Sequence, residues 1–184
     1  MMVKSLLCVI VLIFLGGCSA KQPPLSAESE KVQKLTQDLM VLGKNVDKKE
    51  AALLAKEAIT YPKVLAKEYD LVSPANYHNL LINLGYRKRG LCFEWSEDMM
   101  AHLKKQKFKS FDLRWAVSHK GGPEEHNSVV AVAKGAAFET GILLDPWRNS
   151  GDLFWSRLTH DEEKFQWVED KKRTTKLGTV NVLK

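Results

Sequence analysis

Apolar residues recur at helical spacing through the first half of the chain. Ser26 reads as an N-cap, with Glu28 and Glu30 in the first turn where the helix dipole favours acids. Val32, Leu35, Leu39, Met40 and Leu42 line one face, and Gly43 closes the helix. Ser29 at the third helical position leaves this start without a full capping box. Asp47 and Glu50 do have that spacing, and open a second helix carrying Ala51, Leu53, Leu54, Ala55, Ala58 and Ile59. Pro62 is expected to kink or break it, with a further helical segment over Val64 to Tyr69. Ser73-Pro74 starts a third helix in cap-then-proline order, striped by Tyr77, Leu80, Leu81 and Leu84 up to Gly85. After a loop from Tyr86 to Leu91, a fourth begins at Cys92, with Trp95, Ser96, Met99, Met100 and Leu103 near the cysteine's face, and stops near Gln106.

Beyond Gln106 the period drops from helical to two. Phe111, Leu113, Trp115 and Val117 alternate with Asp112, Arg114 and Ala116, the pattern of a half-buried strand. A loop over His119 to Glu125 follows, marked by Gly121-Gly122-Pro123. His126 opens a second strand through Ala133, and Thr140 to Leu144 forms a third. A tight turn with Gly135 and Ala136 at its centre would set His126 directly opposite Asp145 on one face; a one-residue slip would send them to opposite faces. Leu153 to Leu158 and Phe165 to Val168 read as further short strands, and residues 171–184 as a loosely held basic tail. The elements predict one α+β domain over residues 26–170, with N-terminal helices and the Cys92 helix packed on an antiparallel sheet.

The start of the chain has a different pattern. Lys4 precedes an unbroken apolar run from Leu6 to Leu15, half the roughly 20 residues a spanning helix needs, and so reads as a secretory signal. Leu15-Gly16-Gly17-Cys18 resembles the lipobox of bacterial lipoproteins, in which the signal is cut before the cysteine and the cysteine is acylated. That resemblance implies removal of residues 1–17, a lipid on Cys18, a short tether over 18–25 containing Pro23-Pro24, and a protein facing the periplasm. Ser19, in place of an acidic residue, implies the outer membrane.

The net charge of +6 and pI near 9.2 suit a surface beside anionic lipid or cell-wall polymer. The cations are scattered among acids and no nucleic-acid motif accompanies them, so no nucleic-acid partner is expected.

Of three cysteines, Cys8 falls in the signal and Cys18 would carry lipid, which leaves Cys92 unpaired in an oxidising compartment. A buried cysteine acting as a small hydrophobe is the bland reading. A thiol on the first turn of a helix meets unpaired N–H groups and the positive end of the dipole, both of which favour a nucleophilic thiolate. His126 would accept its proton and Asp145 would orient the imidazole. No histidine has ligand spacing to Cys92, so neither a metal nor another cofactor is expected. His119, in the loop before His126, is a rival base, while His78, His102 and His160 are read as structural.

The order Cys92, His126, Asp145 and the flanking residues Gly90-Leu91-Cys92-Phe93 and Leu144-Asp145-Pro146 resemble the transglutaminase-like family of papain-type cysteine enzymes. The resemblance covers about Gly85 to Asn149. It departs from the family's pattern after the histidine, where Asn127 stands in place of an aromatic residue. It implies a papain/transglutaminase-like fold and a cysteine peptidase or hydrolase acting on amide or isopeptide bonds. Papain relatives place a polar oxyanion donor before the cysteine; Tyr86 is the candidate here, with Asn83 and Trp95 behind it. Trp147, Arg148 and Asn149 would border the groove for a protein or peptide substrate of the cell envelope. The alternative is a non-catalytic envelope lipoprotein that uses the same fold as a binding or assembly module. A third reading, a cell-wall peptide hydrolase of the related papain branch, lacks that branch's Asp-Cys pair here.

Overall fold

The structure is a computed structural model and describes residues 26–161 and 165–179. The signal segment over 1–17, the lipidation candidate Cys18 and the tether over 18–25 lie outside the described residues, as does the end of the basic tail over 180–184. Among the described residues the chain is α+β, with five α-helices and one five-stranded antiparallel sheet.

Helix α1 (Ala27–Met40) begins at Ser26, whose Oγ accepts from Ser29 N at 3.2 Å, and buries Leu35 and Leu39. Helix α2 (Lys48–Glu68) is capped by Asp47, whose Oδ1 accepts from Lys49 N and Glu50 N at 2.9 Å. The reciprocal half of the expected capping box does not form. Glu50 turns instead to the N–H groups of Lys109 and Ser110 and to Ser110 Oγ, tying α2 to the entrance of the sheet. Pro62 does not break α2 either: Ala58, Ile59, Pro62 and Leu65 are all buried along one face, and that burial outweighs the single backbone bond that proline removes.

Helix α3 (Ala75–Asn83) departs further from its pattern. Pro74 takes the N-cap position rather than the first helical one, and no side chain caps the start. Tyr77, Leu80 and Leu84, read as a core stripe, are 48%, 48% and 59% exposed, whereas Ala75 and His78 are buried. The reason is His78, whose ring accepts from Val72 N at 3.2 Å and bonds Arg89 O at 2.9 Å. With both nitrogens satisfied, the histidine seats in the interior and leaves Leu81 half-buried, while Tyr77, Leu80 and Leu84 face outward.

Helix α4 (Cys92–Lys105) lays Met99, Met100 and Leu103 on the sheet. Strands β1 (Phe111–Ser118), β2 (His126–Ala133), β3 (Ile142–Asp145), β4 (Phe154–Arg157) and β5 (Val168–Glu169) assemble in the order β4-β3-β2-β1-β5. Phe111, Leu113, Trp115 and Val117 from β1, with Val129, Ala131, Ile142 and Leu144, face the helices as the main core. Ala116, Val130, Val132 and Leu143 face the other way, where Phe138 and Leu158 from two short 3-10 turns cover them. Both faces of β2 are therefore buried, so it is apolar almost throughout rather than alternating.

The connection between β2 and β3 is longer than the expected two-residue turn. It contains the 3-10 turn Phe138–Thr140, and Val129 pairs with Leu144 rather than with Ile142, a shift of two residues. A shift of two preserves the face. His126 and Asp145 thus remain on one side of the sheet as diagonal rather than direct neighbours.

The segment read as a loose tail begins instead with helix α5 (Lys171–Thr179), docked on β1. Asp170 N donates to Trp115 O at 2.9 Å and Thr174 Oγ1 accepts from Trp115 N at 2.8 Å. Beyond β5 the edge of β1 would otherwise present bare backbone groups, and α5 occupies them.

Candidate active site

The segment ahead of Cys92 is held from several directions. Gly90 has φ of +128°, and a Cβ there would lie 2.5 Å from His78 Nε2, so only glycine permits this close approach. Arg89 makes a two-pronged pair with Asp98 at 2.8 and 3.0 Å, and Tyr69 Oη donates to the same carboxylate. Leu91 has no side-chain acceptor to cap the helix, but Glu94 Oε2 accepts from Gly90 N and Leu91 N at 2.7 and 2.9 Å. These contacts fix where the first turn of α4 starts, and with it the Cys92 side chain.

Cys92 is partly exposed, and its thiol donates to Glu125 O at 3.6 Å. The next residue along, His126, is 4% exposed, and its Nε2 lies 2.7 Å from Asp145 Oδ2. With Nε2 engaged, Nδ1 is the ring nitrogen left for the thiol. Burial pulls the imidazole pKa down, but the Asp145 carboxylate and the Cys92 sulfur outweigh it and push it up to about 9. Trp147, Phe165 and Trp167 pack tilted around the ring at 4.9, 4.8 and 5.3 Å between centroids, a set of π-faces that suits a cation.

Asp145 is fully buried and saturated. Besides His126 it accepts from Trp147 N and Arg148 N at 3.2 and 3.1 Å, and from Arg148 Nε at 3.1 Å. Arg148 in turn forks onto Asp161 at 2.8 Å through both terminal nitrogens. Burial opposes charge on that guanidinium, but Asp161 and Asp145 together raise its pKa. Arg148 is therefore committed to holding carboxylates beneath the cleft.

The cleft over the thiol measures about 410 Å³ and is lined by Pro74, Asn76, Asn79, Glu124 and Phe165 together with Cys92, Glu125, His126, Trp147 and Arg148. Cys92, His126 and Asp145 are thus brought together, and Trp147 and Arg148 line the cleft. Three expectations are corrected. Tyr86 is 70% exposed on the turn after α3 and does not line the cleft. Asn149 lines a separate cleft with Asp152, Leu153 and Trp155, because the chain turns sharply after Arg148. Trp95 is buried and its Nε1 donates to Gly90 O, so it has no donor to offer. The rival His119 is exposed and bonds Ser118.

Asn79 was missed. Trp147 Nε1 can only donate, and it does so to Asn79 Oδ1 at 3.2 Å, which leaves the amide N–H group as the free end in the cleft wall. The signal was present as Asn76 and Asn79, three apart on the helix preceding the cysteine. No group of three or more acidic, histidine or cysteine side chains that could hold a metal occurs among the described residues.

Comparison with family models, with curated proteins and with solved structures finds no match to this chain.

Proposed function

We propose that the protein is a lipid-anchored thiol enzyme of the cell envelope, in a papain/transglutaminase-like arrangement, that hydrolyses amide or isopeptide bonds or transfers their acyl group. The observation that carries this reading is the 2.7 Å bond from His126 to a fully buried Asp145, with the imidazole pKa raised to about 9 beside a partly exposed thiol.

In this mechanism His126 Nδ1 already holds the proton taken from the Cys92 thiol, and the sulfur attacks the amide carbon, forming a C–S bond. The oxyanion is met by the backbone N–H of Cys92, which the first helical turn leaves without an intrahelical partner, and by the Asn79 amide in place of Tyr86. Collapse breaks the C–N bond as His126 returns its proton to the departing amine. Water, or an acceptor amine, then attacks the thioester while His126 takes its proton, and the C–S bond breaks to restore the thiol. Asp145 fixes the ring's orientation throughout. Lipid on Cys18 would hold the domain at the membrane, with the outer membrane the expected site.

Iodoacetamide alkylation of the folded protein across pH tests the reading, with modification followed at the Cys92 peptide. Rapid alkylation near pH 7 that collapses in His126→Ala is expected. Reaction only above the free-thiol value of about 8.5, unchanged in His126→Ala, would overturn it.

A further inference from the structure

Beside the thiol, and not among the residues that line the cleft, stands Asn127, the residue at which the chain departs from the family's aromatic. Asn127 is buried, and its Oδ1 accepts from Trp115 Nε1 at 2.8 Å and from Arg173 Nη1 at 2.6 Å. Indole and guanidinium nitrogens can only donate, so the atom they share must be the amide oxygen. The other end of the amide is thereby turned toward Cys92, with Nδ2 3.0 Å from Glu125 Oε1 and 4.0 Å from Cys92 Sγ. Rotated by half a turn, the same side chain would set an oxygen against the sulfur and against a carboxylate. Trp115 lies in β1, but Arg173 comes from α5, the helix standing where the sequence reads as a loosely held tail.

We propose that Arg173 is a positioning residue for Cys92: it locks the Asn127 amide with its N–H group facing the sulfur, which favours the thiolate over the thiol. This rests on the thiol-enzyme reading above. Arg173 is itself held in place. Its backbone N–H donates to Asp170 Oδ1 at 3.0 Å, its guanidinium stacks 5.2 Å from the Trp115 ring, and Lys120 anchors Asp170 from the far side at 2.7 Å. Nη1 also reaches Glu125 Oε1 at 3.4 Å, so one guanidinium braces both the amide beside the thiol and the loop whose carbonyl accepts from it. The charged groups around Cys92 are then His126 from β2, Glu124 and Glu125 from the preceding loop, Arg148 from the loop after β3 and, through Asn127, Arg173 from α5.

The test is the Cys92 alkylation profile of the full chain, with iodoacetamide as probe, in Arg173→Met, Arg173→Lys and Asn127→Asp. Methionine keeps the apolar stem over Trp115 without a donor. It is expected to slow alkylation at pH 7 about tenfold and move the profile to higher pH, while circular dichroism and Tm stay near wild type. Lysine, which restores a donor, is expected to recover most of the rate. Asn127→Asp keeps an acceptor for Trp115 and Arg173 but presents oxygen to the sulfur, and is expected to be at least as slow as Arg173→Met. A methionine variant that alkylates as wild type overturns the proposal, and so does a lysine variant that recovers nothing. Should Arg173→Met fail to fold, Asn127→Asp decides, and a wild-type profile there overturns it. If His126→Ala alters the profile while these variants do not, the thiol-enzyme reading stands without this role for Arg173. If His126→Ala also changes nothing, both fall.

Discussion

His126 is a residue on which opposing forces act, and their signs can be separated. Burial favours the neutral ring; the Asp145 carboxylate and the Cys92 sulfur favour the cation, and they win. Removing the carboxylate should therefore reverse the outcome. In Asp145→Asn, the imidazole midpoint followed by NMR should fall from about 9 to below the ordinary value of 6.5, because burial then acts against little more than Cys92. A midpoint that stays high in that variant would mean that Asp145 is not the group holding the charge. The same shift bears on stability. A folded-state pKa above the unfolded value adds stability that is complete below pH 6.5 and is lost as pH rises through about 9. Urea unfolding of the wild type should lose on the order of 3 kcal/mol between those limits, and His126→Ala should lack that part of the loss.

At the scale of elements, the start of α4 is set by a glycine and a glutamate, neither of which touches the cleft. Gly90→Ala would drive a methyl into His78 at a backbone angle that side chains rarely adopt, and His78 holds both Val72 N and Arg89 O. A loss of about 1–3 kcal/mol by thermal unfolding is expected. Glu94→Ala would strip the acceptor from Gly90 N and Leu91 N, at a cost of about 1–2 kcal/mol, and should also slow Cys92 alkylation as the first turn frays. What was legible in the sequence follows the same division. Periodicity placed α4 and β1 well, because α4 buries one regular face and the first half of β1 alternates, and the Cys92, His126 and Asp145 set survived a misread turn because its error was an even number of residues. Misplacements came where a long-range partner overrode a local rule: buried neighbours carried α2 through Pro62, and His78 took the interior position in α3 while Tyr77 and Leu80 faced outward. Tyr86 failed as a donor for a related reason, since proximity in sequence to Cys92 said nothing of which way the turn faced, whereas the helix carrying Asn79 ran along the cleft.

For the whole molecule, the two ends of the chain carry separate expectations. At the front, if Cys18 is acylated as its motif suggests, palmitate labelling of growing cells should mark the protein and be lost in Cys18→Ala, with Cys92 alkylation unchanged. At the back, α5 packs on β1 and sets Arg173 against Asn127. Ending the chain at Asp170 would leave Trp115 N without Thr174 Oγ1 inside the structure, expose the outer edge of β1, and release the Asn127 amide from Arg173. An orphaned backbone donor costs about 1–3 kcal/mol, and the lost packing over Trp115 adds to it, so the truncated chain should unfold at clearly lower urea than the full chain. Its Cys92 alkylation at pH 7 should fall even under conditions where circular dichroism shows it folded. A tail that merely hung from β5 would be removed without either effect, so a truncation matching the full chain in both measurements would detach α5 from the site.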